Sequence, residues 1–118
     1  MADRLEVRDF LLEMKMSLAL RQYRFVNRGK NTTSLAEMNM LSNEVASILK
    51  SIQVSDYCDG PLDDDKGRDE RWWIFGPEHQ GEAIYVKVSL ITLKNGSLQV
   101  ECLSFHKAER PLTYPLRP

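Results

Sequence analysis

The stretch IYVKVSLITLKNGSLQVECLSFH, residues 84–106, constrains this chain more than any other. Two runs rich in β-branched residues flank Lys94-Asn95-Gly96-Ser97. An Asn-Gly pair between alternating apolar residues is the strongest short-range signal for a β-hairpin. A two-residue type I′ turn at Asn95-Gly96 sets Leu93 against Leu98, Ile91 against Val100, Ser89 against Cys102, Lys87 against Ser104 and Tyr85 against His106. Side chains two apart share a face. One face therefore ends, far from the turn, in Tyr85, Lys87, Ser104 and His106. The other sets Val86, Val88 and Leu90 against Leu103 and Phe105, a pattern suited to burial.

Helical signals come before this hairpin. Val7, Leu11, Met14 and Leu18 recur at helical spacing and predict an amphipathic helix over 4–20. RQYRFVNRGK reads as a short strand closing at Gly29. Ser34 to Glu37 has the form of a capping box opening a second helix, and Ser42 is placed to cap a third. That third helix carries Val45, Ile48, Leu49 and Ile52. Asp56 to Pro61 leaves the helical pattern at a Gly-Pro pair, and an acidic loop follows. WWIFG is a strand stopped by Gly76-Pro77, and His79-Gln80-Gly81 is a turn. Helices first and strands last predict one α+β domain over residues 1–118, a small antiparallel sheet with the N-terminal helices packed on one face.

Hydrophobic residues make up 42% of the chain, enough for a core. No apolar run approaches the roughly 20 residues of a membrane span, and MADRLEVRDF lacks the apolar segment of a signal peptide. The expectation is a soluble, cytoplasmic protein without a membrane partner. Cys58 and Cys102, with His79 and His106, are too few and too scattered for a disulfide framework or a zinc site, so neither metal nor cofactor is expected. Net charge is −1, but it is unevenly spread. Residues 56–82 hold nine acidic and three basic side chains, while residues 83–118 hold two acidic and five basic. DDDKGRDE reads as a mobile, solvated loop, and the basic C-terminal third leaves room for an anionic ligand.

The hairpin end offers a set with chemical use. Cleaving RNA without a metal means driving a 2′-hydroxyl at the adjacent phosphate. That step needs a proton acceptor, a proton donor and positive charge on the phosphate. His106 suits either proton role, Lys87 and Arg110 suit the phosphate, and Tyr85 can position it, stack a base or carry a proton. The ordinary alternative is a histidine and surface charges on a sheet edge. Adjacent strand positions send Trp72 and Trp73 to opposite faces, where one could stack a base and the other belongs to the core. Cys58 has no histidine near it in sequence and reads as a small buried residue.

Four short motifs carry a resemblance: Asp56-Tyr57-Cys58, Trp72-Trp73, Ile84-Tyr85-Val86-Lys87 and Leu103-Ser104-Phe105-His106. Together they resemble the MqsR family, the motility-quorum-sensing-regulator toxins of bacterial toxin–antitoxin pairs, over roughly residues 40–115. The resemblance implies a RelE-like fold and a metal-free mRNA endoribonuclease held inactive by a cognate antitoxin. It places the family's strand tyrosine on Tyr85 and its catalytic lysine on His106. The family's lysine after Asp-Phe-Tyr falls on Asp59 and its glutamine after Trp on Ile74, so this chain departs at those positions. The expected site is therefore His106, Tyr85 and Lys87 for catalysis, with Arg110, Ser104, Trp73 and Tyr114 on the substrate. The expected partners are mRNA and an antitoxin, with a homodimer left open. The alternative is a degenerate, protein-binding module of the same fold.

Overall fold

The computed structural model describes residues 1–26, 29–41 and 43–118; Ser42, read above as a cap, lies outside them. In chain order the elements are α1 (Arg4–Ala19), β1 (Tyr23–Phe25), α2 (Gly29–Glu37), α3 (Glu44–Ser51), a 3₁₀ turn at Val54–Asp56, β2 (Tyr57–Asp63), β3 (Arg71–Phe75), β4 (Glu78–His79), β5 (Glu82–Thr92) and β6 (Leu98–Lys107). Asp3 starts α1 with a capping box: its carboxylate accepts from the Glu6 amide at 2.9 Å, and Glu6 accepts from the Asp3 amide at 3.2 Å. The predicted stripe of α1 is buried, and Phe10 joins it.

The sheet runs β1-β6-β5-β3-β2, with β4 attached to β5. It is mixed, because β1 lies parallel to β6 while the other pairs are antiparallel. The expected all-antiparallel sheet is corrected here. A strand that enters between two helices can reach the hairpin's free edge in the parallel sense as easily as in the antiparallel one. The α+β architecture stands: the core forms between one sheet face and the helices, from Val7, Phe10, Met14 and Leu49 to Phe75, Val86, Val88, Val100 and Phe105. Residues 57–63, expected to be turn and loop, form edge strand β2 with two register shifts. An edge strand tolerates Pro61, which has no amide to donate.

The turns also divide differently. Gln80 and Gly81 both have positive φ, 53° and 81°, between the paired His79 and Glu82, so the two-residue type I′ turn sits there. At the main hairpin only Gly96 is left-handed (φ 86°), its amide donates to the Leu93 carbonyl at 2.9 Å, and Thr92 pairs with Leu98. This is a type I turn closed by a glycine bulge, one residue longer than expected. The predicted pairing near the turn is thus off by one. Val100 faces Leu90 and Cys102 faces Val88, both in the core, while Glu101 goes to the other face. A second bulge, at Leu103, restores the register, so that Lys87 faces Ser104, Val86 faces Phe105 and Tyr85 faces His106 as the sequence predicted. Leu103, expected in the core, is half-buried.

One side chain holds that bulge. Asn31 on α2 is 1% exposed. Its Nδ2 donates to the Val26 carbonyl at 2.9 Å and the Leu103 carbonyl at 3.1 Å, and its Oδ1 accepts from the Phe105 amide at 2.9 Å. Ser34, one turn on, accepts from the Lys107 amide at 2.9 Å. Where β1 ends, α2 thus takes over the pairing of the β6 edge with side chains. Ser34 lies inside α2 and does not open it, which corrects the expected cap.

Asn31→Ala should leave two carbonyls and an amide without partners and cost about 3 kcal/mol of stability, read as a shifted urea midpoint. Asn31→Asp should be as damaging, since a carboxylate would face two carbonyl oxygens. A loss below about 1 kcal/mol in both would show that the bulge holds without this residue.

Candidate functional site

The sheet face opposite the helices carries a cleft of about 510 Å³. Its floor is Tyr85 and Lys87 on β5 with Ser104 and His106 on β6, its near rim is Lys30 at the start of α2, and its far wall is the segment 109–113. The hairpin does bring the predicted residues together. The rings of Tyr85 and His106 stack with centroids 5.3 Å apart and planes 19° from parallel. His106 Nδ1 lies 3.0 Å from the Lys107 carbonyl oxygen. A carbonyl can only accept, so Nδ1 carries the proton, which leaves Nε2 to exchange one with a ligand. Arg110 is exposed on the far wall, and Ser104 is buried in the floor.

Lys87 sits over the Trp72 ring, its Nζ 5.7 Å from the centroid, a cation–π contact that steadies the ammonium without neutralising it. Trp72 is 2% exposed, and its indole N–H donates to Asp64 Oδ1 at 3.0 Å. The other oxygen of Asp64 accepts from the Lys66 amide at 3.0 Å and from the Arg68 amide and guanidinium at 3.3 Å each. These hydrogen bonds, the one from Trp72 foremost, hold the Asp64 carboxyl at about 2. The acidic loop expected to be wholly solvated is therefore pinned at its middle aspartate, while Asp63 and Asp65 on either side are exposed. Asp64, the first residue after β2, is buried against the Trp72 indole to which it is bonded.

Two residues expected at the substrate are elsewhere. Trp73 pairs with Val88 and stacks on Phe10 of α1 at 4.5 Å, on the core face. Strand alternation gave the cleft side to Trp72 instead, and Trp72 is covered. Tyr114 lies outside the cleft lining; its hydroxyl donates to the Gly76 carbonyl at 2.7 Å, and the Arg117 guanidinium lies 3.5 Å from its ring centre. Arg117 also donates to the Ser55 carbonyl at 3.2 Å, and Arg4 donates to that of Leu116 at 3.0 Å. The C-terminal segment is thus a strap that crosses the sheet and is tied down beyond the cleft. Gly76 permits the crossing: a Cβ there would come within 2.6 Å of Leu112 and of the Tyr114 hydroxyl.

No sequence pattern singles out Lys30 or Glu109. They form an ion pair at 2.7 Å that joins rim to wall. Cys58 is no nucleophile, since burial pushes its thiol up to about 11. Of the positions where the chain departs from the family pattern, Ile74 pairs with Lys87 and is buried, and Asp59 caps its neighbour's amide on β2. Neither lines the cleft. Among the described residues, no three His, Cys, Asp or Glu side chains are grouped to hold a metal ion, and no helix is long and apolar enough to cross a membrane. No family model, curated protein or solved structure matches the chain.

The Asp64 carboxyl is depressed in the folded protein, so its contribution to stability is full above the ordinary aspartate value near 4 and fades as pH falls toward 2. The stability gap between the wild type and Asp64→Asn, from urea midpoints, should be constant above about pH 5 and shrink steadily below pH 4. A gap that does not change with pH would remove the carboxylate from this role.

Proposed function

We propose that the chain is a metal-independent endoribonuclease, the toxin of a toxin–antitoxin pair, acting on mRNA and restrained by a cognate antitoxin. The observation that carries this reading is the stacked Tyr85–His106 pair in a cleft that also holds Lys87 and Arg110. His106 Nε2 takes the proton of a 2′-hydroxyl. The freed oxygen attacks the adjacent phosphorus, and the bond from phosphorus to the 5′-oxygen breaks. The leaving oxygen takes its proton from the Tyr85 hydroxyl, and the products are a 2′,3′-cyclic phosphate and a 5′-hydroxyl. Lys87 and Arg110 offset the charge gathering on the non-bridging oxygens. Histidine suits the role that the MqsR-like pattern gives to lysine, because it exchanges protons near neutrality without a large shift. The RelE-like assignment of the fold belongs to the same proposal, supported by the MqsR-like motifs and by helices gathered on one sheet face.

Purified protein incubated with mixed-sequence RNA and a chelator should yield 2′,3′-cyclic phosphate ends. His106→Ala should fold and lose cleavage on the order of a hundredfold or more. Tyr85→Phe should keep the stacked ring and lose most of the rate, whereas Lys87→Ala and Arg110→Ala should weaken transition-state stabilisation. Metal-dependent cleavage, or full activity in folded His106→Ala, would overturn the mechanism. A wild type that binds RNA or a partner protein without cutting would assign the chain to the protein-binding alternative.

A further inference from the structure

The cleft contains more positive charge than the catalytic set uses. Lys30 reaches it from α2 and is held by Glu109, among the described residues the one acidic side chain in the lining. Both side chains are well exposed, at 62% and 61%, so the pair adds little to stability. The hydrogen bond and charge of Lys30 hold the Glu109 carboxyl below the usual range, and the neighbouring His106 and Arg110 add to this. An ionised carboxylate therefore sits among three cationic or protonatable groups, in a space where a phosphodiester would meet the same groups.

We infer that Lys30 is a phosphate-binding residue of this cleft, and that the Glu109 carboxylate occupies its ammonium as an internal competitor which the RNA backbone displaces. The inference rests on the nuclease reading for its ligand, a single-stranded phosphodiester. An ammonium is a three-donor point charge on a flexible stem, so it can leave one oxyanion for another without moving the backbone. The Glu109 side chain can swing into solvent as it is released, because it stands on the exposed strap. Charge balance gives the two residues opposite signs. Removing Lys30 removes a phosphate contact, whereas neutralising Glu109 frees Lys30 and removes a repulsion. A pair that served only to tie the strap to α2 would give both changes the same sign.

The test is equilibrium binding of the full chain to a short single-stranded DNA of mixed sequence, which lacks the 2′-hydroxyl and is not cut, over a range of salt concentrations. Lys30→Ala should weaken binding roughly tenfold and flatten the dependence of log affinity on log salt by about 0.7, the share of one phosphate contact on a single strand. Glu109→Gln should tighten binding several-fold, and less so when Lys30 is already Ala. Unchanged affinity and salt slope in Lys30→Ala, or weaker binding in Glu109→Gln, would overturn the inference while leaving RNA cleavage by the wild type intact. A wild type that binds neither this DNA nor RNA of the same sequence would overturn both readings.

Discussion

Asn31 is the residue on which the geometry of this protein depends. Where β1 ends beside the bulge, the edge of β6 leaves a carbonyl and an amide without a strand opposite, and buried groups of that kind need partners. At Leu103 and Phe105 the partner is one amide side chain, which also holds the end of β1 through Val26. Helix, parallel strand and bulge meet at that point. The bulge in turn sets which way β6 faces beyond it. Before it, Val100 and Cys102 enter the core; after it, Phe105 does, and His106 turns to the cleft. Without the extra residue, the pairing set by the turn would carry Phe105 out of the core and His106 into it.

The cleft is assembled from elements with different freedoms. Its floor is the most strongly paired part of the sheet, where β5 and β6 run side by side for most of their length. Lys87 is backed by Trp72, and Trp72 by Asp64, so an acidic loop far from the cleft in charge and in sequence helps to place one of its cations. The wall is a strap without regular structure, fastened at Gly76, Ser55 and Arg4. A rigid floor holds the groups that must meet at fixed distance, and the strap, joined to α2 by an exposed ion pair, is the part that can give way to a ligand.

Several features were legible in the residues themselves. The period of α1 needed only local chemistry. So did the existence of the hairpin, whereas the meeting of Tyr85 with His106 and of Lys87 with Ser104 agrees with the sequence reading through two offsets that cancel. That agreement has a specific cause: the turn is one residue longer than a type I′ turn, and the bulge at Leu103 shifts the pairing back by one. The break was present in the sequence, since Val100, Cys102 and Phe105 change phase within one strand. Trp73 was misplaced for a related reason. Alternation says that neighbours part, but only the packing of Phe10 decides which face is core.

The sequence alone determined what short-range physics can settle: an α+β chain, an amphipathic first helix and a long hairpin. Periodicity and turn chemistry act over a few residues and need no knowledge of the rest. The tertiary structure decided what depends on distant partners. It set the parallel sense of β1, the pinning of Asp64 under Trp72, and the arrival of Lys30 and Glu109 at the same cleft from positions 79 apart. No local pattern encodes these, because each is fixed by whichever buried or charged group the folded chain places opposite.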